Sequence, residues 1–308
     1  MVHTIDRRFA LAGLASAILF LAACSGSSSP SPTAAPATAG PPATPASSPG
    51  ALPTTPTGAI AHPLGATELV LRFAEGGGFV MPTFAMIQVP HFSLYGDGTV
   101  LYRPASTPWP ETKPGEPMRF PPLQVATMTE AQIQALLRDA LGDGGLGVAR
   151  ERYDNNQVAD APTATFTLNA DGRQLRVSAY ALGLMIDDPA NPNPDAAILT
   201  AMAALAERLR NFDQEIAKGN ASAAGLYFPT RFRASLLEGG PGADGVPRSW
   251  PWPTFGPEAF TTIDGSDLFG FPSRAISGLE MSLLGVEKPE GGVSGISLRA
   301  PNGTVYGL

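Results

Sequence analysis

The chain has 308 residues, 44% of them hydrophobic, and carries a net charge of −7. An acidic balance with no basic run excludes nucleic acid as a partner and direct docking on anionic lipid, because both need clustered Lys and Arg. A single Cys excludes a disulfide framework and zinc sites built from several thiolates, so the fold must be held by its apolar core.

Residues 1–23 read as a lipoprotein signal peptide. Arg7 and Arg8 form a positive start, and Phe9 to Ala23 is an uncharged apolar run. At about fifteen residues it suits a signal better than a membrane span of about twenty. The run ends at Leu21-Ala22-Ala23-Cys24-Ser25, which resembles the lipobox of bacterial lipoproteins. That resemblance implies that the Cys24 thiol receives a diacylglyceryl group with palmitate-type chains and becomes the mature N-terminus. The lipid would anchor the chain at the outer face of the cytoplasmic membrane, or at the outer membrane in a cell that has one. The alternative is an ordinary cleaved signal in which Cys24 is incidental. Arg7-Arg8-Phe9-Ala10-Leu11 also resembles a twin-arginine export motif but departs from it at Ala10, so secretory and twin-arginine routes both stand.

Residues 24–64 are predicted to be a disordered stalk. From Ser25 to about Pro63 the chain is almost entirely Ser, Pro, Thr, Ala and Gly, with no charged residue. Such a segment cannot bury enough apolar surface to offset its ordering entropy, and its prolines favour an extended spacer. The ordered domain is expected over 65–308, either as one body or as two lobes, about 65–220 and 221–308.

Thr67 to Phe73 alternates as a strand does, and Glu75-Gly76-Gly77-Gly78 is expected to interrupt it with a bend or bulge. The Phe79-Val80-Met81-Pro82 that follows forbids a phosphate loop. Phe92 to Tyr102 reads as a hairpin turning at Gly96-Asp97-Gly98. Pro104 to Pro122 reads as a long surface loop. Thr129 and Gln132 form a capping-box pattern ahead of a helix with Ile133, Leu136, Leu137 and Ala140 on one face, stopped by Gly142. A second hairpin spans Thr163 to Ala181, with Asn169-Ala170-Asp171-Gly172 at its tip. Asn193-Pro194-Asp195 then opens a helix running to about Lys218. Tyr227 to Leu237 reads as a strand, Ala275 to Leu284 as a short helix or strand, and Pro301-Asn302-Gly303 as the turn of a last hairpin.

These elements predict an α+β domain: an antiparallel sheet built from β-hairpins alternating with helices packed on one face. The order hairpin, helix, hairpin, helix is either an internal hairpin–helix repeat or a coincidence of order, since the two units share little sequence. The lipobox at Cys24, the Gly-rich strand around Gly76-Gly77-Gly78-Phe79, the Phe92-Ser93-Leu94-Tyr95-Gly96-Asp97-Gly98 hairpin and Asp160-Ala161-Pro162-Thr163 together resemble an uncharacterised family of bacterial lipoprotein-like proteins. The resemblance implies surface location and carries no activity, cofactor or catalytic residue.

Candidate chemistry is sparse. With His3 in the signal and His62 in the stalk, a Ser-His-Asp hydrolase would have to use His91, and no Gly-x-Ser-x-Gly elbow is present around Ser294. Asp97, Asp154, Asp160, Asp187 and Asp188 sit beside turn-forming residues, where caps and turns want carboxylates. Asp187, Asp188 and Asp195 are weak calcium candidates whose spacing does not match an EF-hand. Trp250-Pro251-Trp252-Pro253 and Trp109-Pro110 offer aromatics for stacking on sugars or for an interface, or indoles that fold back over the core. The reading favoured by this composition is a lipid-anchored, non-catalytic binding module without a cofactor, for a cell-wall glycan or an exported protein. The alternatives are a carboxylate-dependent hydrolase of envelope polymers and an inhibitor or chaperone-like module.

Overall fold

The structure, a computed structural model, describes residues 58–80, 82–155, 157–184, 193–240, 246–262 and 271–308. The signal, Cys24, nearly all of the stalk, and Asp187 and Asp188 lie outside the described residues. The fold is α+β, with a large, mostly antiparallel sheet and helices on it.

Eight strands form the main sheet, in the order Arg152–Tyr153, Arg173–Tyr180, Pro162–Ala170, Leu69–Gly77, Phe92–Tyr95, Thr99–Tyr102, Gln124–Thr127 and Ser222–Leu226. Every pairing is antiparallel except the first, Arg152–Tyr153 beside Arg173–Tyr180. Register puts one apolar row on one face. Phe73 lies opposite Phe166 on one side and Phe92 on the other, while Leu71 is flanked by Leu168 and Leu94. Because side chains alternate with a period of two, Arg72, Ser93 and Thr167 fall on the opposite face. Both hairpins turn as their glycines require. Asp171 and Gly172 have φ of 56° and 66°, and Gly98 has φ of 85°. A Cβ on Gly98 would sit 2.2 Å from the Met128 carbonyl oxygen.

The helices cover the apolar face. In Glu130–Leu141 the capping box is formed as expected: Thr129 Oγ1 accepts from the Gln132 amide, and the Gln132 side chain accepts from the Thr129 amide. Ile133, Leu136, Leu137 and Ala140 are buried in the first core. The second predicted helix is two, Ala196–Arg210 and Phe212–Ala217. The break is at Asn211, whose side chain donates to the Glu207 carbonyl and carboxylate at 3.0 and 2.6 Å. That local bond competes with helix continuation. It drops Phe212 onto Phe92 and Tyr102, with ring centroids 4.8 and 5.4 Å away.

Three expectations are corrected. The Gly run does not interrupt its strand: Leu69–Gly77 stays paired through Gly77 opposite Pro162, and the register shift lies between Leu69 and Leu71. Residues 58–64, read as stalk, dock on the domain. The Gln134 side chain clasps the Ile60 backbone with two 2.8 Å bonds, and the His62 side chain, 2% exposed, meets the Glu130 carboxylate at 3.2 Å. Ser222–Leu226, not anticipated as a strand, returns to the far edge of the main sheet, so the first sheet extends past residue 220.

A second core forms from residues 234–308. Arg231–Ser235 pairs with Ser273–Ser277, and Ser297–Arg299 with Val305–Gly307 around the predicted Asn302-Gly303 turn. The segment read as helix or strand is both. Ser273–Ser277 ends at Ser277, which caps Gly278–Ser282 in a second capping box with Glu280. Trp252 sits at the centre, 2% exposed, its Nε1 donating to the Glu280 carbonyl at 2.9 Å. Trp250 and Phe255 pack on it with centroids 5.1 and 5.2 Å away. Such pairs contribute about 0.5–1.5 kcal/mol each beyond area burial.

Candidate functional site

The proline-rich loop 104–122 does more than span the surface. Met118–Arg119 pairs with Val293–Ser294, and the Phe120 amide donates to the Gly292 carbonyl at 3.1 Å. Gly291 permits this approach, since a Cβ there would lie 1.8 Å from the Phe120 carbonyl oxygen. The tether brings three aromatic rings together. Trp109 stands edge-on to Phe120 at 5.1 Å, and Phe84, from the short helix Pro82–Met86, is 6.3 Å from Trp109.

Those rings line a cavity of about 240 Å³ together with Glu75, His91, Arg103 and Arg210. Glu75 occupies the inward register position two residues after Phe73, where the apolar row runs out. Arg210, at the end of its helix, grips it with two bonds, Nε to Oε2 at 3.0 Å and Nη2 to Oε1 at 2.7 Å. The hydrogen bonds to Glu75 lead in holding the Arg210 guanidinium above its ordinary range. His91 Nε2 lies 3.4 Å from Glu75 Oε2, and its ring stacks on Phe73 at 5.7 Å. Burial pushes the His91 pKa below its ordinary value, with Arg210 and Arg103 acting the same way and Glu75 opposing them.

A second cavity, about 230 Å³, adjoins the first and shares Ile87, Val89 and Arg103 with it. Its walls are mostly aliphatic, and several come from the second core: Ile276, Met281, Val293 and Leu308. Arg103, Arg231, Arg233 and Glu290 are among its lining residues, and Arg233 donates to the Met86 carbonyl at 3.0 Å.

Arg103 is the residue common to both. Its backbone closes the 92–102 hairpin by donating to the His91 carbonyl at 3.1 Å. Its Nη2 donates to the Gly291 carbonyl at 3.2 Å, and its Nε, buried, has no partner. No carboxylate of the described residues lies within ion-pair distance, and burial lowers its pKa without an opposing charge. Arg208 is the contrast. It meets Asp139 at 2.6 Å and the buried Glu215 at 2.7 Å, and Glu215 also accepts from Lys218 and Asn220. Burial alone would raise the Glu215 pKa, but those donors outweigh it and hold the carboxyl below its ordinary range.

The residues singled out in the sequence are dispersed. Asp97 accepts from the Thr99 amide and hydroxyl in the first hairpin turn, Asp154 pairs with Arg152, and Asp160 holds a φ of 56° in its turn. Asp195 precedes its helix without capping it through its side chain and pairs with Arg150. Among the described residues no three His, Cys, Asp or Glu are grouped as metal ligands would be. Of the tryptophans, Trp252 is corrected from candidate binding surface to core residue, because the second core has no other group of its size at its centre. Trp250 is half-buried, with Nε1 bonded to the Phe255 carbonyl at 2.8 Å. Trp109, 54% exposed, is on the cleft. Sequence reasoning passed over Glu75, Arg103 and Arg210. Glu75 carried a signal, a charge in the inward register of a strand; the arginines did not.

Comparison with family models, with curated proteins and with solved structures finds no match.

Proposed function

We propose that the chain is a lipid-anchored extracytoplasmic binding protein, held to the membrane through Cys24, whose domain takes an envelope component or part of an exported protein in the cleft around Arg103. The observation that supports this is the half-satisfied, partly buried Arg103 guanidinium at the junction of an aromatic and an aliphatic cavity. A structural arginine in the same chain, Arg208, is matched by two carboxylates. A partly buried cation left without a counter-charge is disfavoured unless something else completes it, and pockets that bind ligands combine apolar walls with a few such groups.

The test is a thermal-shift screen on residues 24–308 carrying Cys24→Ser, with divalent cations, muropeptides, wall glycans and anionic amphiphiles in the panel. A ligand that binds only the folded state raises the melting temperature by mass action. At least one anionic compound is expected to raise it in the unaltered cleft and to fail with Arg103→Gln. Shifts that are indifferent to Arg103→Gln would move the binding role away from this cleft.

A further inference from the structure

We infer that the aliphatic cavity receives the chain of a single-chain anionic amphiphile whose carboxylate or phosphate head rests on Arg103. This deepens the binding-module reading and rests on it.

Three observations converge. The first is charge: Arg103, with no carboxylate of the described residues in ion-pair reach, lines this cavity in a chain whose net charge is −7. A guanidinium without a counter-charge selects an anion, and Arg binds carboxylate and phosphate through paired N–H donors. Arg103 has Nε in hand for that purpose. The second is the lining. Met86, Ile87, Val89, Ile276 and Met281 give it a largely apolar surface suited to hydrocarbon, with Tyr227, Ser235 and Glu290 the polar side chains besides the arginines. The two methionines adapt their shape to a flexible chain. The third is size. At roughly 30 Å³ per water-sized group, a cavity of about 230 Å³ suits one short hydrocarbon chain of about eight carbons. Longer chains would have to turn past Arg103 towards the aromatic wall of Trp109 and Phe120, which the shared residues Ile87 and Val89 border.

The experiment is titration calorimetry on residues 24–308 with Cys24→Ser, below the critical micelle concentration of each probe. Heads and chains are separated by the probes: acetate and inorganic phosphate as heads alone, decanoate and decyl phosphate as complete amphiphiles, decanol and decyltrimethylammonium as uncharged and cationic chains. Decanoate and decyl phosphate are expected to bind at least tenfold more tightly than decanol, with no binding of the two heads or the cation. In the series from hexanoate to decanoate affinity is expected to rise by up to about fourfold per methylene, the gain from burying one CH₂, and then to level off by tetradecanoate. Arg103→Gln should weaken decanoate at least tenfold and leave decanol unchanged, and Val89→Trp, which fills the shared wall, should abolish both.

Equal affinity for decanoate and decanol would overturn the proposal, as would inorganic phosphate binding as well as decyl phosphate, or a flat chain-length series. The chain-length series uses no cleft variant and so stands even if a variant misfolds. If a muropeptide or glycan shifts the melting temperature in an Arg103-dependent way and decanoate does not bind, the amphiphile is refuted while the binding-module reading survives. If nothing in either set binds, both fall.

Discussion

If Arg103 is held for a ligand, removing it must cost the free protein little, and this separates it from a structural arginine. In Arg103→Met the lost interaction is one charge-assisted bond, Nη2 to the Gly291 carbonyl at 3.2 Å. Bonds to charged groups are worth about 1.5–3 kcal/mol, and at this length the lower end applies. The same substitution relieves an unsatisfied buried Nε, a burden of about 1–3 kcal/mol. It also places an apolar side chain of similar length among Ile87, Val89 and Leu123. The two terms cancel to within about 1 kcal/mol. Arg208→Met is different. It strips Asp139 and takes from the buried Glu215, whose side chain is 4% exposed, its 2.7 Å partner, leaving it Lys218 and Asn220. Breaking a buried pair on one side costs about 3–5 kcal/mol. At about 2–4 °C per kcal/mol for a domain of this size, Arg208→Met should lower the melting temperature by roughly 10 °C and Arg103→Met by no more than about 4 °C in either direction. Thermal unfolding at pH 7.5, followed by far-ultraviolet circular dichroism, measures both. Two variants destabilised to the same degree would show that Arg103 is a structural anchor and remove the basis for a ligand on it.

Two further outcomes follow from the packing. Trp252→Ala should cost about 3–5 kcal/mol, the usual penalty for emptying an aromatic core site, because Trp250, Phe255 and Phe260 all rest on that ring; a loss under 1 kcal/mol in urea unfolding would mean that the second core is not built around it. His91 has a folded-state pKa below its ordinary value, so the unfolded chain takes up this proton first as pH falls past about 6.5. Its share of the stability is whole above that pH and declines until pH has passed the folded value. His91→Gln should therefore flatten part of the loss in melting temperature between pH 7.5 and 5.5, and identical slopes in the two proteins would refute it.

The elements that were legible in the sequence are those whose signal is local. The turn at Asp171-Gly172 needs two positive φ values, and the capping box at Thr129 needs a Gln three residues on; both are written within four residues and both formed. The same holds for the second hairpin, whose alternation from Ala164 to Ala170 is visible without any partner strand. What failed was long in range. Ser222-Ala223-Ala224-Gly225-Leu226 has no strand pattern because all five residues are exposed; only the waiting edge of Gln124–Thr127 makes it a strand. Ile60 and His62 looked like stalk because their partners, Gln134 and Glu130, are about 70 residues away.

The cleft belongs to the second kind. Arg103, Arg210 and Gly291 come from a hairpin end, a helix end and a short 3-10 turn, and nothing in their neighbours marks them. Only Glu75 announced itself, as a charge where the period of Leu71 and Phe73 demands an apolar side chain. Composition misleads for the same reason. The tryptophans stood out because they are rare, and rarity drew attention to Trp252, which the fold uses as filling. Arginine is common and drew none, although its worth depends on which carboxylates stand nearby, a property of the folded chain alone. Arg208 and Arg210 each find a buried or half-buried acid and become structural. Arg103 finds a carbonyl and an unsatisfied Nε, and that missing counter-charge gives the acidic domain a place to hold an anion.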